Sequence, residues 1–244
     1  MLSVNISGFN YHRVLISNLV NLDELSKNSD YLFFVDYLNQ NLIDKNLFSK
    51  NSALITLGSN VDDFLVSCHD TCRNEIRRTF REEKFVFSNV IKDWNKFHDF
   101  YKNCEYARGW MPSPIEELRA SKCFQASFDG QLLSGMSCYY NDTHVRVNKI
   151  FSLRKSQKTS NIPSVIFSAA SRRIVFEICK WAIVKGLKFV DLGGIDLQDS
   201  NKKGVSKFKQ SFGIQVEPVQ IGKVMTPEFR TLVDDLHSKK LDIN

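Results

Sequence analysis

Residues 161–212 read NIPSVIFSAASRRIVFEICKWAIVKGLKFVDLGGID and then, after a polar gap, GVSKFKQSF, with Gly213 closing the run. Phe167, Ala170, Ile174, Ile178 and Trp181 recur every three or four positions, which places them on one face of a long helix. Asn161 and Pro163 suit the first turn of that helix, and Gly186 suits a left-handed cap at its end. Leu187, Phe189, Val190 and Leu192 then predict a short strand covered on both sides, as in a mixed sheet backed by helices. Asp191 interrupts this strand just before Gly193 and Gly194, where the backbone is free to turn or to approach a ligand closely. A loop and a short basic helix follow. Taken alone, this order fits any helix-to-strand crossover of an α/β domain.

Upstream lies the clearest antiparallel signal. Residues 123–128 lead into Asp129-Gly130, a favoured two-residue hairpin turn, and 131–140 form the returning strand. Asn141-Asp142 makes a second turn, and 144–151 (HVRVNKIF) alternates as a third strand. The meander feeds the loop SLRKSQKTSN, where Arg154, Lys155 and Lys158 crowd the start of the long helix. Unpaired N–H groups and the helix dipole favour an anion there, so these three cations are the candidate phosphate ligands of a cofactor.

Further out, 52–57 (SALITL) is a strand candidate ending in turn residues, and 61–83 follows as a helix. Arg73, Arg77 and Arg81 on that helix stand four apart and form a ridge, which is either a solvated face or an anion site. Cys68, His69 and Cys72 have no second ligand pair at zinc spacing, so no metal site is expected. Residues 84–90 alternate as a strand, 93–106 form an amphipathic helix, and RGWMPSPIEEL is a proline-rich loop with a short helix after it. Trp110 in that loop is placed to stack on a ligand or to pack. Residues 1–51 carry no usable motif and are expected to be a partial segment packing on a main domain of 52–222. Residues 223–244 form a C-terminal helix, capped by Thr226 with Pro227 in its first turn.

Composition sets outer limits. The chain has 244 residues, 43% of them hydrophobic and 12% aromatic, which supports a substantial core and argues against disorder. No apolar run has membrane-spanning length, and six dispersed cysteines form no paired framework, so a cytoplasmic, reducing setting is expected. A net charge of +6 favours partners bearing phosphate without identifying one.

The element order resembles the GNAT acyltransferases, and within them the Fem-type aminoacyltransferases of peptidoglycan bridge synthesis and their single-unit relatives in envelope-glycan biosynthesis. Two pieces carry the resemblance: RNEIRR at 73–78, and DLGGI followed by GVSKFKQSFG within 191–213. The fold this implies is α/β (α+β), a mixed, mainly antiparallel sheet flanked by helices. The resemblance also implies that Phe208 and Lys209 sit at the reaction centre, with Lys209 stabilising charge on the acyl group under attack. It implies that Arg73 and Arg77 meet phosphates of the acceptor, expected to be a nucleotide-sugar or glycan precursor; Trp110, from its place in the proline-rich loop, is a further candidate substrate contact. Where coenzyme-A-binding members show R/Q-x-x-G-x-G/A, this chain reads RKSQKTSN, without glycine. The donor is therefore open between acyl-CoA, such as acetyl-CoA, and aminoacyl-tRNA. An amine acceptor needs a base, for which Asp191, Asp196 and His144 stand at strand ends. Cys138 and Cys179 lie in apolar patterns and are expected in the core. Two other classes remain: a non-catalytic relative that binds a phosphorylated ligand, and an RNA binder, for which no glycine-flanked aromatic motif is present.

Overall fold

A computed structural model of the chain describes residues 1–18, 22–38, 47–153, 162–199 and 203–241. They group into two compact units, one formed by Met1–Lys50 with Pro218–Asn244, the other by Asn51–Glu217. The basic excess of the chain lies in the second unit; the first is close to neutral.

In the second unit the strands are β4 (Leu47–Thr56, entering the unit at Asn51), β5 (Phe85–Ser88), β6 (Lys122–Phe128), β7 (Gln131–Tyr140), β8 (His144–Ser152) and β9 (Phe189–Gly194). They lie side by side in the order β4-β9-β8-β7-β6-β5. Every pairing is antiparallel except β8 with β9. The expected mixed, mainly antiparallel sheet is thus present, and its single parallel pair is the one bridged by the long helix.

That helix, α6 (Ser164–Val184), buries more than one stripe: Ile166, Ala169, Val175, Phe176 and Cys179 are enclosed along with the predicted face. The cause is a second helical layer on the same side. Here α2 (Val61–Ser67) and α3 (Asp70–Arg81) bring Phe64, Cys68, Cys72 and Ile76 into one cluster with α6 and the sheet. The sequence predicts a single helix over 61–83. The chain instead breaks at Cys68 and His69, both extended in ψ, because the His69 N–H leaves the helical ladder to donate to the Ser211 carbonyl at 3.0 Å. On the opposite face α4 (Trp94–Tyr106) and α5 (Ile115–Ala120) enclose Phe97, Tyr101, Cys104 and Leu118 against Cys123 and Phe151.

The short helix α7 (Lys203–Gln210) ends against this break. Gly213, at φ +66°, lies so close to Ser67 that any Cβ would drive into the Ser67 carbonyl. Gly213→Ala therefore combines a left-handed backbone strain with a clash that backbone must absorb, together about 1–3 kcal/mol. A lowered urea midpoint with unchanged m-value is the expected result.

The first unit contributes four strands. Its strands β1 (Leu2–Ile6), β2 (Phe9–Ile16), β3 (Tyr31–Asp36) and β10 (Gln215–Met225, entering at Pro218) lie in the order β1-β2-β3-β10. Helix α1 (Leu22–Lys27) covers Val14, Ile16, Leu32 and Phe34, and Phe229 of α8 (Pro227–Leu241) packs on Phe9 and Tyr31. The sequence treats 1–51 and 223–244 as separate appendages. They join because β10 runs antiparallel to β3, register Gly222 with Phe34, a pairing no local pattern announces. Among the described residues, no helix is long and apolar enough to cross a membrane.

Candidate active site

β8 and β9 are paired for only three residues, His144 with Phe189, Val145 with Val190 and Arg146 with Asp191. Beyond that point β8 continues along β7 to Ser152 while β9 follows β4 as far as Gly194. The two strands part, and a wedge opens between them.

Its floor is a closed ionic knot. Asp191 is fully buried, and its carboxylate accepts from Ser52 Oγ at 2.6 Å, from the Gly193 N–H at 2.6 Å and from Arg146 Nη1. Arg146, 7% exposed, also donates to Ser52 Oγ at 3.1 Å. An acid inside a buried strand demands a cation, and the cross-strand neighbour supplies it. In the sequence Arg146 sits in the alternating HVRVNKIF, where nothing local distinguishes it from a solvent-facing residue.

Lys209 reaches the same place from α7. It is 6% exposed, and its Nζ donates to the Gly194 carbonyl at 2.7 Å. Gly193 has φ +82°, and a Cβ placed there would lie 3.8 Å from Lys209 Nζ, 3.8 Å from the Val147 carbonyl and 3.9 Å from Arg146 Nη2. Two cations therefore converge on one glycine at the mouth of the wedge. Burial pushes the Lys209 pKa down to about 8, opposed by Asp191 and assisted by Arg146.

The other expected residues divide. Phe208 does not accompany Lys209 to the wedge: its ring is 5.0 Å from Phe212, lies under the Arg172 guanidinium at 5.8 Å, and packs on the α6 core. Successive residues of a helix point about 100° apart, so one anchors α7 while the next faces the site. Asp191 likewise has no exposed surface from which to take a proton. His144 is buried and stacked on Phe189 at 4.7 Å, and burial holds its pKa down to about 4 against the pull of Asp191. Asp196, part-exposed beyond β9, accepts from the Gln198 and Asp199 N–H groups. Cys138 and Cys179 are enclosed, and burial pushes both thiols up, so neither offers a thiolate at neutral pH.

Arg73 is held by the Cys68 carbonyl at 2.9 Å and by Asp70 at 3.1 Å, while Arg77 is exposed further along α3. Among the described residues, neither touches Lys209, Gly193 or Asp191. Trp110 is 58% exposed beneath the Arg108 guanidinium, 5.5 Å from its ring. Arg108 in turn donates to the Ile150 carbonyl at 2.8 Å, on the part of β8 that has left β9. Among the described residues, Trp110 is thus tied to β8 only through Arg108. Arg154, Lys155 and Lys158 lie outside the described residues.

Solved structures of low sequence similarity share this fold. FemX superposes with a TM-score of 0.59 at 10% identity, covering 89% of this chain and 82% of that one. The C-terminal DUF2156 domain of an Agrobacterium fabrum protein gives 0.53 at 12% identity, covering 87% and 73%. L-PGS from Bacillus licheniformis gives 0.50 at 11% identity, covering 87% and 74%. No protein-family model and no curated protein matches the chain. At these identities the likeness is one of fold, a GNAT-like architecture of the kind seen in FemX.

Proposed function

We propose that the chain is an N-acyltransferase. It moves an acyl group from an activated donor to an amine of an amino sugar, or of a peptide on a glycan precursor, in cell-envelope biosynthesis. One observation carries this reading: a buried ammonium, Lys209 Nζ, held beside Gly193 where the sheet opens. An extended thioester or ester donor laid in the wedge would meet strand backbone on both sides and bring its carbonyl to that cation.

The amine nitrogen attacks the carbonyl carbon, the C–N bond forms and the π pair moves onto oxygen. Lys209 stabilises that oxyanion in a site largely screened from water, where a fixed charge acts strongly. The C–S or C–O bond then breaks, and the leaving thiolate or alkoxide takes up the proton that the attacking nitrogen gives up as it becomes an amide. The acceptor must shed a proton to attack, and Asp196 is the one of the three candidate bases with surface to receive it. Asp191 and Arg146 act as positioning residues: their ion pair fixes the spacing of β8 and β9 at the apex and shapes the Gly193 turn.

Acyl-CoA is the donor we favour, with aminoacyl-tRNA as the alternative; the phosphates of either would suit the basic second unit and the cations Arg154, Lys155 and Lys158. Incubation with labelled acetyl-CoA or charged tRNA, each with UDP-amino sugars as acceptors, separates them by which label is transferred. No transfer from either donor, with melting temperature unmoved by both, would favour a non-catalytic ligand-binding relative.

The pH profile tests the role of Lys209. Charged, it stabilises the oxyanion, so turnover should fall as pH rises through about 8. A profile that instead keeps rising above that value would make the lysine a base. Stability moves the other way. An unfolded lysine titrates near 10.4, so between about 8 and 10.4 the folded state binds fewer protons than the unfolded and gains stability as pH rises.

A further inference from the structure

Two strands away from the wedge, a second concavity runs between α4 and the outer edge of the sheet. One cavity of about 420 Å³ is lined by Val86, Val90, Gln125 and Leu132, with Lys92, Asp93 and Lys96 along its side. A neighbour of about 770 Å³ shares Asp93, Lys96, Gly130 and Leu132 with it and continues past Asn95, Asn103 and Gln131 to Leu153. A third, of about 410 Å³, is lined by Phe124, Arg173, Ile174 and Glu177 on the α6 side of the sheet and is not part of this concavity. The first two fall in the range of about 300–1,000 Å³ usual for ligand sites, and their shared residues make them one groove.

The geometry points to this groove as a binding site for a neutral oligosaccharide chain, separate from the acyl-transfer wedge. Three features select that ligand. Planar amides recur along the length, and among the described residues those of Asn95, Asn103 and Gln125 have no hydrogen-bond partner in the protein. An amide offers a donor and an acceptor side by side, which matches vicinal hydroxyls or the acetamido group of an amino sugar. Between them Val86, Val90, Phe100 and Leu132 form an apolar strip on which the C–H face of a pyranose can rest. Charge is balanced: Lys92 and Lys96 stand against Asp93 and Asp99, and Asp99 already pairs with Lys102 at 2.8 Å. Among the described residues, no arginine lines either cavity, so nothing there offers the fork that a phosphate or sulfate would draw. A length shared across two cavities suits more than one sugar unit in a row.

Isothermal titration with chitotetraose and cellotetraose tests the assignment, alongside an uncharged tetrapeptide as a probe of peptide binding. A dissociation constant of ~1 mM or tighter for a saccharide is expected, weakened at least about fivefold by Asn103→Ala and by Gln125→Ala. Both positions are at least part-exposed, so melting temperatures should match wild type. Lys209→Met should leave the saccharide affinity unchanged. No saccharide binding at millimolar concentration overturns the proposal. So does binding lost in Lys209→Met but kept in both groove variants, which would place the sugar in the wedge, and so does preference for the peptide. Because the readout is binding to groove variants, a failed acyl-transfer assay leaves this test intact.

Discussion

Lys209→Met is expected to lower acyl transfer about 10²–10³-fold, the usual cost of deleting one oxyanion-stabilising donor. The same change should leave the folded state as stable as before, or more so. Burial has already pushed the Lys209 pKa down to about 8, which means the charged form is disfavoured where it sits. Methionine removes that charge while filling the stem's volume. A disfavoured cation kept at the mouth of a wedge supports the proposed role in transfer. Turnover measured beside the thermal midpoint separates the two roles: a structural lysine would lose stability along with activity. Lys209→Arg keeps the charge but spreads it over a planar fork that does not fit the Gly194 carbonyl, so it should recover only part of the rate.

Asp191→Ala should destabilise the second unit by about 3–5 kcal/mol. It removes the partner of Arg146 and strands a guanidinium that is 7% exposed. It also frees the Gly193 N–H and Ser52 Oγ, each of which loses an acceptor. Urea unfolding reads the loss directly. A double-mutant cycle identifies its cause: Asp191→Leu with Arg146→Met should cost less than the two single changes added, because neither charge is left unpaired. If the losses simply add, the ion pair is not what the apex depends on.

The Asp191 and Lys209 positions show how far the sequence reaches. Asp191 stands out locally as an acid inside an apolar strand, whereas Lys209, one of several lysines in a short basic helix, is marked only by the family resemblance; both lie at the wedge. Phe208 was legible as a motif residue but not in its direction, since one step along α7 turns it into the α6 core. Arg146 and Ser52 were passed over because a polar residue in an alternating strand looks like any solvent-facing one until its neighbour strand is known. The break at Cys68 and His69 was hidden for a similar reason: the helical period continues across it, and only the Ser211 carbonyl draws the backbone away.

By itself the sequence determined most of the elements of the second unit, the break between α2 and α3 excepted. Period 3.6 marked α4 and α6, period 2 with Asp129-Gly130 marked the β6–β7 hairpin, and the Gly193-Gly194 pair marked the end of β9. These follow from contacts within a few residues, where side-chain spacing and turn chemistry act directly. What only the tertiary structure decided is which strands lie together: β10 with β3 in the first unit, and β8 with β9 for just three residues in the second. Those pairings join segments far apart in the chain, and their register depends on packing and charge matching that no local pattern encodes. The wedge, its buried ion pair and the lysine above it are products of that long-range choice.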